Sequence, residues 1–313
     1  LFNTVVRSHI HDNTIPWENV MISGWALDPK GKKMSKSKGN VIAPQDMIDK
    51  FGADVLRYWA SGAKLGEDVP FQEKDYTTGK KTVTKLWNAS KFAIMHLEDF
   101  KDHTNIPHEL EFMDRWLLSK FNSLIRDVTL SFDKYEYSKA RHGTENFFWS
   151  DLCDNYLEFV KDRLYNPDSR GNEKRQAAQY TLYASVLGTL KLFSPIMPFI
   201  TEEIYHLFFS EKENKKSIHI SDWPDYDEKL IDSEIEKVGD IFVSIVSAVR
   251  KHKSDNNMSL KDEISSLTIE CPDDVRKGLE KAIDDLKATI RTSNILFDKA
   301  ETEISNDVSI KID

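Results

Sequence analysis

The residues best suited to chemistry in this chain crowd into one stretch, Asp28-Pro-Lys-Gly-Lys-Lys-Met-Ser-Lys-Ser-Lys-Gly-Asn40. Lys30, Lys32, Lys33, Lys36 and Lys38 supply positive charge on flexible stems, and Ser35 and Ser37 add short hydroxyl donors. Gly31 and Gly39 permit positive φ and close backbone approach. A loop of this composition suits a polyanion, phosphate in particular. Lysine clusters are more often solvated surface or basic tails, so the flanks decide. A second concentration of lysines, at 74, 80, 81, 85 and 91, follows further along.

The elements that must position the loop are legible on both sides. The β-rich run Val20-Met-Ile-Ser-Gly-Trp-Ala-Leu27 predicts a strand before it, and Pro44–Phe51 predicts a helix after it. Pro44 fits the first helical turn and Gly52 the C-terminal stop. A basic loop between a strand and a helix is an ordered phosphate-site arrangement rather than a tail. Val55, Leu56, Tyr58 and Trp59 are expected to face inward, with Arg57 in a structural salt bridge.

From about Glu73 to Ser210 the apolar period becomes helical. The runs are Val83, Leu86, Trp87, Ser90, Ile94, Leu97; then Trp116, Leu117, Phe121, Leu124, Ile125, Val128; then Phe147, Phe148, Leu152, Tyr156, Phe159, Val160, Leu164; then Tyr180, Leu182, Val186, Leu190, Phe193. Asn166–Asn172 reads as a loop, and Ser194-Pro-Ile-Met-Pro198 breaks the fourth helix and redirects it. Beyond Trp223-Pro224 come a helix over Ser233–His252, a strand over Ser266–Glu270, a helix over Asp273–Ile290, and strands at Ile295–Phe297 and Val308–Ile310. The predicted fold is mainly α. Residues 1–72 read as the tail of an α/β nucleotide-binding domain (on the resemblance given next, the C-terminal end of a Rossmann-like α/β catalytic domain), 73–225 as an antiparallel helix bundle, and 226–313 as a small α/β module.

Lys33-Met-Ser-Lys-Ser-Lys-Gly-Asn40, followed by Gly52-Ala-Asp-Val-Leu-Arg-Tyr-Trp59, resembles the second signature of class I aminoacyl-tRNA synthetases. Leu86-Trp-Asn-Ala-Ser-Lys-Phe92, with Lys64-Leu-Gly-Glu-Asp68 before it, is most similar to the valyl-tRNA synthetase family, with the isoleucyl family the nearest rival. The likeness is strong over residues 1–225 and weak beyond. It implies that Lys33 and Lys36 are catalytic, and that Lys33, Met34, Ser35, Lys36 and Ser37 contact ATP, which brings Mg²⁺ with it. The carboxylate of valine would attack the α-phosphate, and the lysines would stabilise charge building on the departing pyrophosphate. It also implies a tRNA(Val) partner, ligase activity in the full-length protein, a cytoplasmic location and a monomer.

In that family, positions matching Lys85 and Phe92 are associated with the anticodon loop, and Lys74 stands where arginine is often found. Helical spacing puts Lys74, Lys81, Lys85 and Phe92 on one face. An aromatic such as Phe92 on an amphipathic helix is as readily core as RNA contact, and both readings stand. Trp87 and Asn88 read as structural. Arg250, Lys251, Lys253 and Lys261 are a solvated face or a contact to tRNA backbone.

The family's first signature, His-x-Gly-His, is absent; His9-Ile-His11 does not match it. The chain is therefore expected to be the C-terminal portion of a longer synthetase, inactive alone. A non-catalytic RNA-binding module and a helical scaffold are the competing classes. An ATP loop has no use in the first, and the second explains neither signature. Hydrophobic content of 40% and charged content of 30% over 313 residues fit a folded protein without a membrane span. Cys153 and Cys271 form no paired motif, so no metal site is expected. The net charge of −9 makes charge distribution, rather than total, the test of RNA binding.

Overall fold

The structure is a computed structural model that describes residues 1–101, 103, 105–305 and 307–313. Helix α1 (Phe2–Asp12) leads to a short parallel pair, β1 (Ala26–Leu27) with β2 (Val69–Pro70). Between these strands lie the lysine loop, α2 (Pro44–Phe51) and α3 (Ala53–Ala60). Pro44 opens α2 and Gly52 ends it, as expected. The strand is far shorter than the run Val20–Leu27 suggested: Val20, Met21 and Ile22 stand exposed, and Ser23 pairs with Leu65 in an isolated bridge.

Asp54 and Arg57, three apart on α3, bolt this segment to the bundle. The buried Asp54 carboxylate accepts the Phe199 and Ile200 amides at 3.2 and 2.7 Å, capping the next segment's helix start. Arg57 donates to the carbonyls of Ile196 and Pro195 at 3.0 and 2.8 Å. The expected salt bridge of Arg57 is thus replaced by bonds to the Pro195 and Ile196 carbonyls, whose helical partners, the Phe199 and Ile200 amides, are taken by Asp54.

The bundle comprises α4 (Glu73–Leu97), α5 (Phe112–Asp133), α6 (Tyr137–Asn146), α7 (Leu157–Phe159), α8 (Lys161–Tyr165), α9 (Pro167–Arg170), α10 (Asn172–Phe193), α11 (Pro198–Ile204) and α12 (Ser210–Glu213). α10 lies at its centre, buried almost all round from Ala177 to Phe193. A π-helical stretch, Phe147–Tyr156, joins α6 to α7. The sequence explains it: Phe148, Leu152, Tyr156, Val160 and Leu164 recur every fourth residue and all are buried. In an α-helix each such step drifts about 40°, so Leu164 would end roughly 160° out of phase. Widening the turn keeps the row facing inward. On α4 the buried row is Tyr76, Gly79, Thr82, Leu86, Ala89, Ala93 and Leu97. Trp87, read as part of that row, is 37% exposed, and Asn88 is exposed too. The Asn166–Asn172 loop contains the single turn α9.

The last segment packs α13 (Ser233–Asp255), α14 (Asp273–Lys281) and α15 (Ile283–Ile290) with a four-stranded sheet of order β4-β3-β6-β5. β3 (Leu267–Glu270) runs parallel to β4 (Ile295–Phe297) and antiparallel to β6 (Val308–Ile312), which pairs with β5 (Thr302–Ser305). The helix expected over Asp273–Ile290 is broken at Ala282, buried at φ −105°, ψ 9°, while Leu279 and Leu286, one on either side, are both buried as expected. α13 lies directly on α5. A Cβ at Gly239 would fall 2.1 Å from the Trp116 ring, so only glycine permits this approach. The hydrophobic core accordingly runs from Tyr58 to Ile310 without a gap at residue 225.

A buried charged cluster joins the two segments. Arg163 is forked onto Asp114 at 2.8 and 2.9 Å and reaches Asp285 at 3.2 Å. Tyr156 donates to Asp114 at 2.6 Å, and Arg170 donates to Asp285 at 2.9 Å. Burial pushes the Asp285 carboxyl up to about 6, against the pull of Arg163 and Arg170. Its unfolded value is about 3.9. Stability from this group is therefore full below about pH 4 and lost as pH rises through 6. Asp285→Asn should gain on the wild type between pH 4.5 and pH 7 in urea unfolding. A difference that is constant across that range would contradict the shift.

Candidate functional site

The lysine loop is closed by a clasp that sequence reading missed. The Asp28 carboxylate accepts the amides of Lys30 and Lys32 at 2.9 and 2.8 Å and the Asn40 side-chain amide at 2.8 Å. Asn40 in turn accepts the Ser35 amide at 2.9 Å and donates to the Lys33 carbonyl at 3.3 Å. Two residues at the ends of the stretch thus hold its middle. Asn40 first, then the Lys32 amide, holds the Asp28 carboxyl below its ordinary range. Asp28-Pro-Lys-Gly31 is itself a turn signature, with Asp first, Pro second and Gly fourth. Gly31 and Gly39 sit at φ 72° and 65°, the positive values expected of them.

Within the clasp the two key lysines differ. The Lys33 ammonium lies 3.6 Å over the exposed Trp25 ring. Lys36 opens a 3₁₀ turn, Lys36–Lys38, and its ammonium has no partner among the described residues. Ser35 and Ser37 place their hydroxyls 3.3 Å apart, and Met34 and Ser35 are half-buried at the base. The loop presents exposed, uncompensated cations on a fixed backbone. Such an arrangement of charge suits a polyphosphate.

The second cluster lies on α4. Lys74 and Lys81 are exposed, and Lys85 and Phe92 are half-buried, all on one helix face. Lys85 pairs with Asp154 at 3.4 Å and lies over the Trp149 ring at 5.1 Å. Phe92 packs one edge against His96, with centroids 4.7 Å apart, and His96 meets the exposed Tyr165 at 4.6 Å. Phe92 therefore belongs partly to the core and partly to the surface. Of the four basic residues named on the C-terminal segment, Lys253 is buried and donates to three carbonyls, so it is a structural lysine. Among the described residues no group of three or more His, Cys, Asp or Glu is arranged to hold a metal ion.

Two family models match the chain. Residues 2–72, which carry the clasped loop, match tRNA synthetases class I (I, L, M and V), and residues 114–269 match the anticodon-binding domain of tRNA ligase. Loop and bundle together thus define a class I tRNA synthetase. A valine–tRNA ligase of Wolbachia pipientis wMel is 41% identical over 310 residues, covering 98% of this chain and 34% of that protein. Valine–tRNA ligases of Rickettsia canadensis and Methanopyrus kandleri are each 38% identical, covering 99% and 100% of this chain and 38% and 34% of theirs. The chain belongs to the valine–tRNA ligase family and spans about a third of the length of these relatives. A solved ternary complex, LeuRS–tRNA–LeuAMS of Agrobacterium radiobacter K84, shares the fold at a TM-score of 0.56 and 18% identity, over 74% of this chain and 27% of that one. No helix among the described residues is long and apolar enough to cross a membrane.

Proposed function

We propose that this chain supplies the ATP-phosphate loop and the anticodon-binding face of an enzyme that activates valine with ATP and transfers it to tRNA(Val). The observation that carries the reading is the Asp28–Asn40 clasp, which holds Lys36 exposed and unpaired beside Lys33, Ser35 and Ser37. Lys36 contacts the phosphate that leaves, and Lys33 swings from Trp25 to join it. Met34 anchors the loop between them. Mg²⁺ arrives on the ATP phosphates rather than in a protein cage. On α4, Lys74 and Lys81 meet the anticodon-loop backbone, and Lys85 and Phe92 meet its bases. Unpaired loop bases are what sequence-specific RNA recognition favours. The enzyme works as a monomer in the cytoplasm.

A titration of the chain against valine, isoleucine and leucine tRNA transcripts at two salt concentrations tests this. Selective binding of the valine transcript is expected, lost when its anticodon is changed and weakened by salt. Equal binding of all three, or none, would refute the recognition role.

A further inference from the structure

A groove between the bundle and the C-terminal module has chemistry that neither the phosphate loop nor the α4 face uses. It is an open cleft of about 1300 Å³, between α4, the π-helical stretch and α8 on one side and α13, the loop after it and the end of α15 on the other. Eight of its lining residues are cationic and five acidic, in a chain of net charge −9.

The pairing within it is uneven. Lys85 is matched by Asp154, Lys161 by Glu158, and Arg170 by Asp162 and Asp284. Lys253 is spent on carbonyls. Among the described residues, Arg250, Lys261, Lys287 and Arg291 have no carboxylate partner, and Glu263 is the one lining acid left unpaired. Four unmatched cations around one cleft create a local positive field that the whole-chain charge hides.

Arg291 carries a second sign. It closes α15 at φ 59°, ψ 66°, in the left-handed region where glycine is the ordinary residue. A long side chain there strains the fold, and among the described residues its guanidinium makes no ion pair in return. Tyr165, 56% exposed, adds an aromatic surface on the same groove, held edge-on by His96. The groove is continuous with the α4 face. Asp154 takes Lys85 on its carboxylate and Arg250 on its carbonyl oxygen at 3.0 Å.

We propose that this groove is a channel for single-stranded RNA, in which the C-terminal module forms the second wall. Arg250, Lys261, Lys287 and Arg291 hold backbone phosphates, and Tyr165 stacks a base. Backbone-tracking cations combined with an aromatic platform are the means by which unpaired strands are held. The inference rests on the α4 face being the anticodon contact and extends that contact across the cleft.

The test uses the chain with Lys261→Gln, Lys287→Gln and Arg291→Gly together, and separately Tyr165→Leu and Tyr165→Phe, titrated with valine tRNA transcript. The triple variant should bind roughly tenfold more weakly at low salt, with a log–log salt slope shallower by about 2, from about 0.7 for each single-strand phosphate lost. Its thermal midpoint should not fall, because glycine relieves position 291. Tyr165→Leu should weaken binding with the slope unchanged, and Tyr165→Phe should restore it. Wild-type affinity and slope in the triple variant would overturn the channel. If Lys74→Ala and Lys81→Ala weaken binding while the triple variant does not, the channel alone falls. If the unmodified chain binds no tRNA, the recognition role falls with it.

Discussion

Lys36→Ala, placed in a full-length valine–tRNA ligase that carries this chain, should slow valine-dependent pyrophosphate exchange by about 150-fold. That corresponds to about 3 kcal/mol of transition-state stabilisation, the amount typically lost with one preorganised donor to developing negative charge. The structural ground is specific. The Lys36 ammonium is exposed and has no partner among the described residues, on a backbone held by Asp28 and Asn40. Its charge is therefore available without breaking another contact. Lys33→Ala should cost less, because Lys33 must first leave Trp25. Both effects belong in the rate more than in the KM for ATP, since the charge they meet grows only as pyrophosphate departs. An exchange rate for Lys36→Ala within about twofold of wild type would rule out this role.

Arg163→Ala should destabilise the fold by about 3–5 kcal/mol, the usual result of removing one partner from a buried ion pair. Arg163 is fully buried, and its loss would leave Asp114 without a counter-charge, beside an Asp285 that keeps only Arg170. Arg163→Met with Asp114→Asn should recover much of the loss, because the uncompensated charge is then gone. Equilibrium unfolding in urea checks both. A loss under about 1 kcal/mol for Arg163→Ala would mean that Asp114 and Asp285 are satisfied by other means.

What could be read in advance follows the range of the forces involved. Pro44 and Gly52 act on their own backbone, and both sit where their chemistry required. The apolar stripe of α13 was equally plain, since Val238, Ile241, Phe242, Ile245 and Val249 recur at helical steps and all are buried. The clasp was half legible. Asp28-Pro-Lys-Gly marks a turn, but that Asn40 would close back on Asp28 depends on how the loop folds between them. Trp87 was misread because an aromatic at a helical step looks like core, whereas Gly79, Thr82 and Ala93 carry the buried row. Small residues signal little by hydrophobicity, yet they let neighbouring helices come close. Arg57 was misread for a different reason. Its partners are backbone carbonyls of Pro195 and Ile196, far along the chain, and carbonyls leave no mark in a sequence. The groove cations were seen only in part. Arg250 and Lys261 stood out, but Lys287 and Arg291 reach the same cleft through the packing of α15 against α8, which lies more than a hundred residues back along the chain.

The contact between Gly239 and the Trp116 ring bears on how this protein can be dissected. A recombinant piece stopping near residue 225 would look like a natural unit on paper, yet it would strip α13 away and lay bare the indole face on α5. Such a piece would be sticky, and its failure to bind RNA would say nothing about recognition. Chimeras face the same constraint. A C-terminal module borrowed from a relative will seat only if it brings glycine at 239, or if the acceptor gives up tryptophan at 116. The two positions must be exchanged as a matched set.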